Sequence, residues 1–291
     1  MANYSIKDLE RLSGIKAHTL RIWEKRYGFV EPQRSRTNIR SYSDEDLKKI
    51  LNISILNRKG IKISRIALMN QEEIMEKILL MMHDTTDFIS LIEQMIIAMV
   101  DMDTDKFDSI ISRAILQTGF EETVLKIIYP FLDKVGILWL TGSINPAQEH
   151  FVSQYIRQKL IVAIDSIISR EVVESKHFLL FLPEGELHEL GLLFYSYLIQ
   201  KRGHKVTYLG QWVPLADMAS ATAAMQIDYL LTSIMAVMSG KILQSYVKKL
   251  SDTFPNQTIF ISGLKTRELS NDLPHNIILL DTVDEFFARF N

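Results

Sequence analysis

Residues 186–191 read Glu-Leu-His-Glu-Leu-Gly, and this stretch decides how the carboxyl-terminal part of the chain folds. It follows a short apolar run, residues 177–182, and precedes a segment with helical periodicity. The pattern predicts a loop after the first strand of an open α/β sheet, at the edge where such sheets receive ligands. There His188 can offer one ring nitrogen to a metal while Glu186 holds the other. Gly191 has no side chain and would let a bulky ligand approach the next helix.

Strand-like and helical segments alternate through residues 174–291. This alternation predicts a flavodoxin-like parallel α/β domain with helices on both faces of the sheet. The carboxyl ends of the strands would bring Ser233, Ser262 and Gly263 to the same edge as His188. The sequence has neither a Gly-x-Gly-x-x-Gly motif nor a phosphate-loop lysine motif, which argues against nicotinamide or nucleoside triphosphate chemistry.

The composition of the 291 residues excludes several classes of site. The chain has no cysteine, so disulfides, zinc-thiolate sites and thiol nucleophiles are absent. Its apolar runs fall short of the roughly 18 to 20 residues that a membrane-spanning helix needs. The amino terminus has no basic segment followed by an apolar core, so no secretion signal is visible. We therefore expect a cytoplasmic protein with no membrane partner.

Charge is distributed unevenly along the chain. Residues 1–70 contain fifteen Lys and Arg against seven Asp and Glu, although the whole chain has a net charge of −2. A basic amino-terminal segment on an acidic body indicates that this segment alone meets a polyanion.

The amino-terminal segment, residues 1–75, has the pattern of a winged helix-turn-helix that reads double-stranded DNA. Ser5 can cap a first helix that Gly14 ends, and a second helix covers residues 16–26. Pro32 then begins a short hairpin-like wing before a new helix starts at Ser43. The side chains predicted to face DNA are Lys16, His18, Thr19, Arg21, Lys25 and Arg26 on the second helix, with Arg34, Arg36, Arg40 and Tyr42 on the wing. A small helical interaction module with a solvated basic face is the alternative.

Residues 76–173 repeat apolar side chains at helical spacing, with short polar turns between the segments. This pattern predicts a four-helix bundle in which the methionines fill the core. Asn145 and Pro146 form a cap and a first helical position, so Glu149 and His150 lie in the opening turns of the last helix. Trp139 lies ten residues before Glu149.

Three sets of residues resemble known families. Residues 4–47, with Thr-Leu-Arg-Ile-Trp-Glu at 19–24 and Arg-Ser-Tyr-Ser at 40–43, resemble a MerR-type winged helix-turn-helix. Residues 186–191 resemble the cobalamin-binding signature Asp-x-His-x-x-Gly with Glu in place of Asp. Ser-Ile-Met at 233–235 and Ser-Gly at 262–263 stand where that family has Ser-x-Leu and Gly-Gly. The pattern Trp-x9-Glu-His at 139–150 is similar to that of the light-responsive CarH/LitR branch of MerR-type repressors.

The resemblance implies a transcriptional repressor without enzymatic activity, controlled by adenosylcobalamin and by light. Trp139 would cover the adenosyl group and Glu149 would contact its ribose. His188 would be the lower cobalt ligand, and His150 would take the upper position after photolysis. The family's scheme is a dark tetramer on the operator that separates in light.

Three features leave alternatives open. Glu186 carries its carboxylate one methylene farther from the backbone, and Met235 and Ser262 would narrow the pocket for the nucleotide tail. A cobalamin-independent MerR-type regulator is the first alternative, and a corrinoid carrier for methyl transfer is the second. Residues 43–82 lack the long heptad helix that usually pairs MerR-type heads, so we expect pairing as a dimer or tetramer to depend on the carboxyl-terminal body.

Overall fold

The computed structural model describes residues 4–34, 38–81, 87–168, 174–269 and 272–290. The chain divides into two compact units, residues 1–155 and 156–291. This division does not test the predicted domain boundaries after residues 75 and 173, which stay predictions. Within the described ranges, no helix has the length and apolar character needed to cross a membrane.

The first unit begins with two helices joined by a tight turn, α1 (Ile6–Ser13) and α2 (Ala17–Tyr27). Ser5 and Asp8 form a reciprocal capping box at the start of α1. Gly14 ends α1 in the left-handed conformation, with φ of 72°. Leu20 and Trp23 are buried on α2, as its periodicity predicts. A two-stranded wing follows, with β1 (Gln33–Arg34) antiparallel to β2 (Arg40–Ser41).

Three helices connect the wing to the bundle: α3 (Asp44–Arg58), α4 (Ile63–Ile66) and α5 (Gln71–Met81). Ser43 and Asp46 form a second capping box at the start of α3. Trp23 of α2 packs into one apolar cluster with side chains of α3, α4 and α5, and this cluster fixes the recognition helix on its scaffold.

The helical bundle is present as predicted, and one of its four rods contains a π turn. Its helices are α6 (Phe88–Asp101), α7 (Thr104–Thr118), α8 (Phe120–Thr123) with α9 (Tyr129–Leu140), and α10 (Pro146–Asp165). Residues Val124–Ile128 form the π turn between α8 and α9. Phe107 lies at the centre, with ring centroids 5.6 Å from Phe131 and 5.7 Å from Phe151. The division into units falls within α10.

The second unit contains a parallel five-stranded sheet, which confirms the flavodoxin-like fold. Its strands are β3 (His177–Pro183), β4 (Lys205–Val213), β5 (Tyr229–Ser233), β6 (Thr258–Ser262) and β7 (Ile277–Leu280). Their order in the sheet is β4-β3-β5-β6-β7, and all pairs are parallel. Helices α11 (Leu190–Lys201), α12 (Leu215–Thr222), α13 (Gly240–Thr253) and α14 (Val283–Phe290) connect or follow them. Two apolar clusters form the core, and each contains alternate residues of the same strands.

Candidate functional site

Glu186 and His188 lie together in the loop between β3 and α11, as the sequence predicts. Nδ1 of His188 is 2.5 Å from Oε1 of Glu186. The same oxygen accepts the backbone N–H groups of Leu187, at 3.0 Å, and of His188, at 3.2 Å. An ionised carboxylate only accepts hydrogen bonds, so Nδ1 carries a proton; in the neutral imidazole, Nε2 then has the lone pair that a metal ligand needs. The His188 side chain is 62% exposed.

The second carboxylate oxygen of Glu186 reaches the loop after β5. Oε2 accepts the backbone N–H groups of Met235 and Ala236, both at 2.9 Å, and of Val237 at 3.3 Å. Although burial acts to raise the pKa of Glu186, the bonds from His188 and from the backbone outweigh it and hold the pKa well below its usual range. The extra methylene of Glu therefore keeps the bond to histidine and adds a bond to a second loop.

A second carboxylate supports this loop, and the sequence reasoning missed it. Glu189 is 5% exposed and precedes α11. Its Oε1 is 2.5 Å from Nε of Arg157, and its Oε2 accepts a hydrogen bond of 2.9 Å from the Tyr208 hydroxyl. The amide of Gln211 donates to the carbonyl of Leu187 at 2.7 Å. The only signal in the sequence was a second acidic residue in the stretch 186–191.

The other predicted residues of this edge lie at the ends of β5 and β6. Ser233 and Ser262 are register partners, and both are buried. The hydroxyl of Ser262 is 3.4 Å from the carbonyl oxygen of Thr232. Gly263 has a φ of 107°, and a Cβ added there would lie 2.4 Å from the carbonyl oxygen of Ile234. Position 263 therefore requires glycine both for its conformation and for its contact.

The edge formed by the carboxyl ends of the strands fits a corrinoid in two respects. His188 is oriented by a buried carboxylate through Nδ1, which is the usual arrangement for a metal-binding imidazole. A Cβ added at Gly191 would meet no atom within 4 Å, so the backbone at the start of α11 can be approached at this position. His188 would hold the cobalt through Nε2, and Glu186 would keep its ring in place.

Trp139, Glu149 and His150 belong to the first unit, at the end of α9 and the start of α10. Asn145 and Gln148 cap α10 reciprocally, with bonds of 3.0 and 3.1 Å. The Trp139 side chain is 48% exposed. Nδ1 of His150 is 2.9 Å from Oε2 of Glu149, and the His150 side chain is 71% exposed. Trp139 and His150 are therefore accessible to solvent, and Glu149 is partly so.

The recognition helix α2 presents a basic face. Most of the side chains predicted to face DNA from this helix are exposed, and Thr19 is half-buried. The exposed ones are Lys16, His18, Arg21, Lys25 and Arg26. The hydroxyl of Thr19 is 3.3 Å from Nε2 of His18. Such a face, with long cations and a short hydroxyl, is suited to phosphates and base edges.

Two wing arginines are held by the recognition helix. Nε of Arg40 is 2.9 Å from Oε2 of Glu24 on α2, and a guanidinium nitrogen of Arg34 is 3.5 Å from the same carboxylate. Arg34 also donates to the side chain of Asn38 at 2.7 Å. The pKa of Arg40 is raised by its bond to Glu24. These bonds fix the wing against α2.

The prediction that Tyr42 contacts DNA is corrected by its burial. Tyr42 is 1% exposed, and its backbone exchanges two hydrogen bonds of 2.9 Å with Tyr4. This pairing anchors the wing to the segment before α1, so the ring belongs to the core of the helix-turn-helix region. Arg36, also predicted to contact DNA, lies outside the described residues.

Comparison with known proteins identifies two regions of the chain. The family model described as MerR HTH family regulatory protein matches residues 4–73. The model described as B12 binding domain matches residues 91–163, which lie in the helical bundle.

Two relatives from Myxococcus xanthus match nearly the whole chain. The HTH-type transcriptional repressor CarH is 26% identical over 276 residues, which cover 91% of this chain and 90% of CarH. The HTH-type transcriptional repressor CarA is 26% identical over 266 residues, covering 90% of this chain and 87% of CarA.

The monomethylamine corrinoid protein of Methanosarcina barkeri has a similar structure, with a TM-score of 0.50 and 15% sequence identity. The match covers 65% of this chain and 91% of that protein, and it supports the fold alone. The matched domains, their order and the similarity to CarH and CarA identify the chain as a MerR-type helix-turn-helix regulator with a B12-binding domain.

Proposed function

We propose that this chain is a DNA-binding repressor whose affinity for its operator is set by bound adenosylcobalamin and by light. The observation that carries the proposal is the Glu186–His188 pair, because it presents an oriented imidazole at the ligand-receiving edge of the sheet. The basic helix-turn-helix region binds the operator DNA. The B12-binding bundle carries Trp139, Glu149 and His150, the residues assigned to cover the cofactor.

Each site residue has a separate task in this proposal. His188 would hold the cobalt, and Glu186 would fix its tautomer. Trp139 covers the adenosyl group, and Glu149 contacts the ribose. When bound, adenosylcobalamin supplies a cobalt–carbon bond that visible light breaks. His150 is the residue that would hold the cobalt after illumination, since its side chain is exposed at a helix start.

On the DNA side, we assign base and phosphate contacts to the exposed cations of α2, with Arg34 and Arg40 on the wing. Two heads joined in one oligomer raise the affinity for a two-fold operator through effective concentration, without new DNA contacts. Assembly in the dark and separation in light would therefore change operator affinity by orders of magnitude.

Absorbance and sedimentation of the full chain test this function. After incubation with adenosylcobalamin in the dark, the protein should retain the corrinoid spectrum through gel filtration, and illumination should change that spectrum. The dark complex should sediment as a dimer or tetramer and the illuminated one as a smaller species. A protein that retains no corrinoid would contradict the cofactor assignment. An oligomer indifferent to cofactor and light would contradict the switching scheme.

A cobalamin-independent regulator is the second candidate, and the end of β6 favours it. Ser262 stands where the cobalamin-binding signature has glycine, and its buried hydroxyl approaches Thr232. Ile234 also donates to the carbonyl of Ser262 at 2.8 Å, which ties the ends of β5 and β6 together. The same absorbance experiment separates the two candidates.

A further inference from the structure

The bundle contacts the carboxyl end of α1. This end exposes carbonyl oxygens that have no partner inside the helix, and it carries the negative end of the helix dipole. Nζ of Lys134, on α9, donates to the carbonyl of Leu12 at 2.6 Å. The hydroxyl of Ser54 is 2.8 Å from the carbonyl of Ser13. A bundle cation thus caps the helix that precedes the recognition helix.

A second contact comes from the loop between α9 and α10. The hydroxyl of Ser143 is 3.3 Å from Oδ2 of Asp8, and both residues are buried. That oxygen also accepts the backbone N–H of Ser5, so it belongs to the capping box of α1. Ser143 therefore contacts the start of the helix whose end is held by Lys134.

An ion pair with a buried carboxylate lies in the same region as Lys134. Glu93 on α6 is fully buried, and its carboxylate accepts two bonds from Arg58 on α3, at 2.9 and 2.5 Å. A cleft of about 420 Å³ lies beside it, lined in part by Gly14, Lys16 and Lys134. Burial lowers the pKa of Lys134, and Arg58 acts in the same direction while Glu93 opposes it.

Positions 134–150 also carry all three proposed cap residues. Trp139 lies between the two contact residues Lys134 and Ser143, on the same helix as Lys134. Glu149 and His150 follow within the first turns of α10. The preceding π turn, residues 124–128, is a kind of element that often marks functional sites in helices.

We propose that Lys134 and Ser143 are positioning residues of the DNA reader, which make the placement of the recognition helix depend on the segment that carries the cofactor cap. This inference rests on the proposed function for the identity of the cap ligand. It would couple the cofactor cap to the recognition helix within one chain, without any change in oligomer assembly.

Hydrogen exchange of the full chain tests the contact itself without cofactor. In Lys134→Met, amides of residues 14–20 should exchange about 10-fold faster than in the unmodified protein, because a hydrogen bond from a charged group is lost. Ser143→Ala should have a smaller effect at residues 6–9. Lys134→Arg, which keeps a cationic donor, should restore most of the protection. Lys126→Met is the matched control, since Lys126 is an exposed lysine on the π turn.

The coupling is tested by adding adenosylcobalamin and then light. In the unmodified protein, exchange at residues 12–20 should change when the bound corrinoid's spectrum changes. In Lys134→Met, the spectrum should respond as before while the exchange at residues 12–20 does not. The proposal would be overturned if light did not change the exchange at residues 12–20 in the unmodified protein, or if it changed that exchange equally in Lys134→Met. Failure to retain corrinoid would instead overturn the proposed function, and equal exchange in the cofactor-free variants would overturn the contact.

Discussion

The two histidines assigned to cobalt are held in different ways. The carboxylate that orients His188 is buried and accepts six hydrogen bonds from two loops. The carboxylate beside His150 is half-buried, and the imidazole itself is 71% exposed on the first turns of a helix. An imidazole that is already held in place loses little conformational entropy when it binds a metal. An exposed imidazole can change its orientation. The difference indicates that one ligand position exists before the cofactor arrives and the other is adjustable.

Glu186→Ala should give the largest effect on this comparison. It removes the acceptor of five backbone N–H groups and of the imidazole, so the second unit should lose about 2–4 kcal/mol of unfolding free energy. Denaturant unfolding, together with exchange of the amides at 235–237, measures this loss. Glu184→Ala is the control, because Glu184 is an exposed neighbour. Equal stability of the two variants would show that the carboxylate does not hold the loops.

His188→Ala should weaken the retention of adenosylcobalamin in the dark by at least about 10-fold, since it removes the oriented imidazole. His150→Ala should leave dark retention nearly unchanged and alter only the spectrum after illumination. Equilibrium dialysis in the dark and absorbance after light measure the two effects. Similar losses of dark retention in both variants would remove the distinction between a fixed and an adjustable ligand.

The pH dependence of stability should report the Glu186 carboxylate. Its pKa is lower in the folded protein than in the unfolded chain, so the folded state binds fewer protons. The stabilisation is fully present above the unfolded pKa of about 4.3 and is lost as pH falls through the folded pKa. Thermal unfolding between pH 6 and 3 should therefore show a smaller loss in Glu186→Gln than in the unmodified protein. Parallel pH profiles would contradict this.

The smallest effects are expected in the amino-terminal segment, residues 1–75. There too, one functional side chain is held by an internal bond and another is exposed. Arg21 is exposed on α2, whereas Arg40 is bonded to Glu24. Arg21→Ala should reduce the salt slope of DNA binding by about one unit. Arg40→Ala and Glu24→Gln should both weaken binding by displacing the wing, and Glu24→Gln should do so without removing a cation. Binding titrations across salt concentrations measure these slopes, and tighter binding in Glu24→Gln would indicate that Glu24 only repels DNA.

Local signals made most of the fold predictable. Ser5, Ser43 and Asn145 each mark a helix start, and each forms the expected cap. Alternation of strands and helices predicts the parallel sheet, because parallel strands need crossover helices. The spacing between Glu186 and His188 was sufficient to predict their contact, since only Leu187 lies between them.

The remaining features depend on contacts between distant residues. Glu186 bonds to residues 235–237, and Arg58 bonds to Glu93, but nothing in the sequence connects these positions. The position of Tyr42 in the sequence, beside the wing arginines, suggested an exposed side chain. Only the structure, with its pairing to Tyr4, shows that the ring is buried. Charge composition likewise predicts a basic head without showing which cations are occupied by internal pairs.

The bonds from Glu186 to the loop after β5 also limit how this protein can vary among relatives. The carboxylate is bound by main-chain N–H groups, so these bonds do not depend on which side chains stand at 235 and 236, whereas Val237 also packs against the apolar core. Proline has no N–H group and should be excluded from all three positions. Insertions or deletions between Ser233 and Ser239 would move the amides out of reach. In homologues with glutamate at position 186, positions 235 and 236 should therefore be variable in sequence, but the loop should be constant in length.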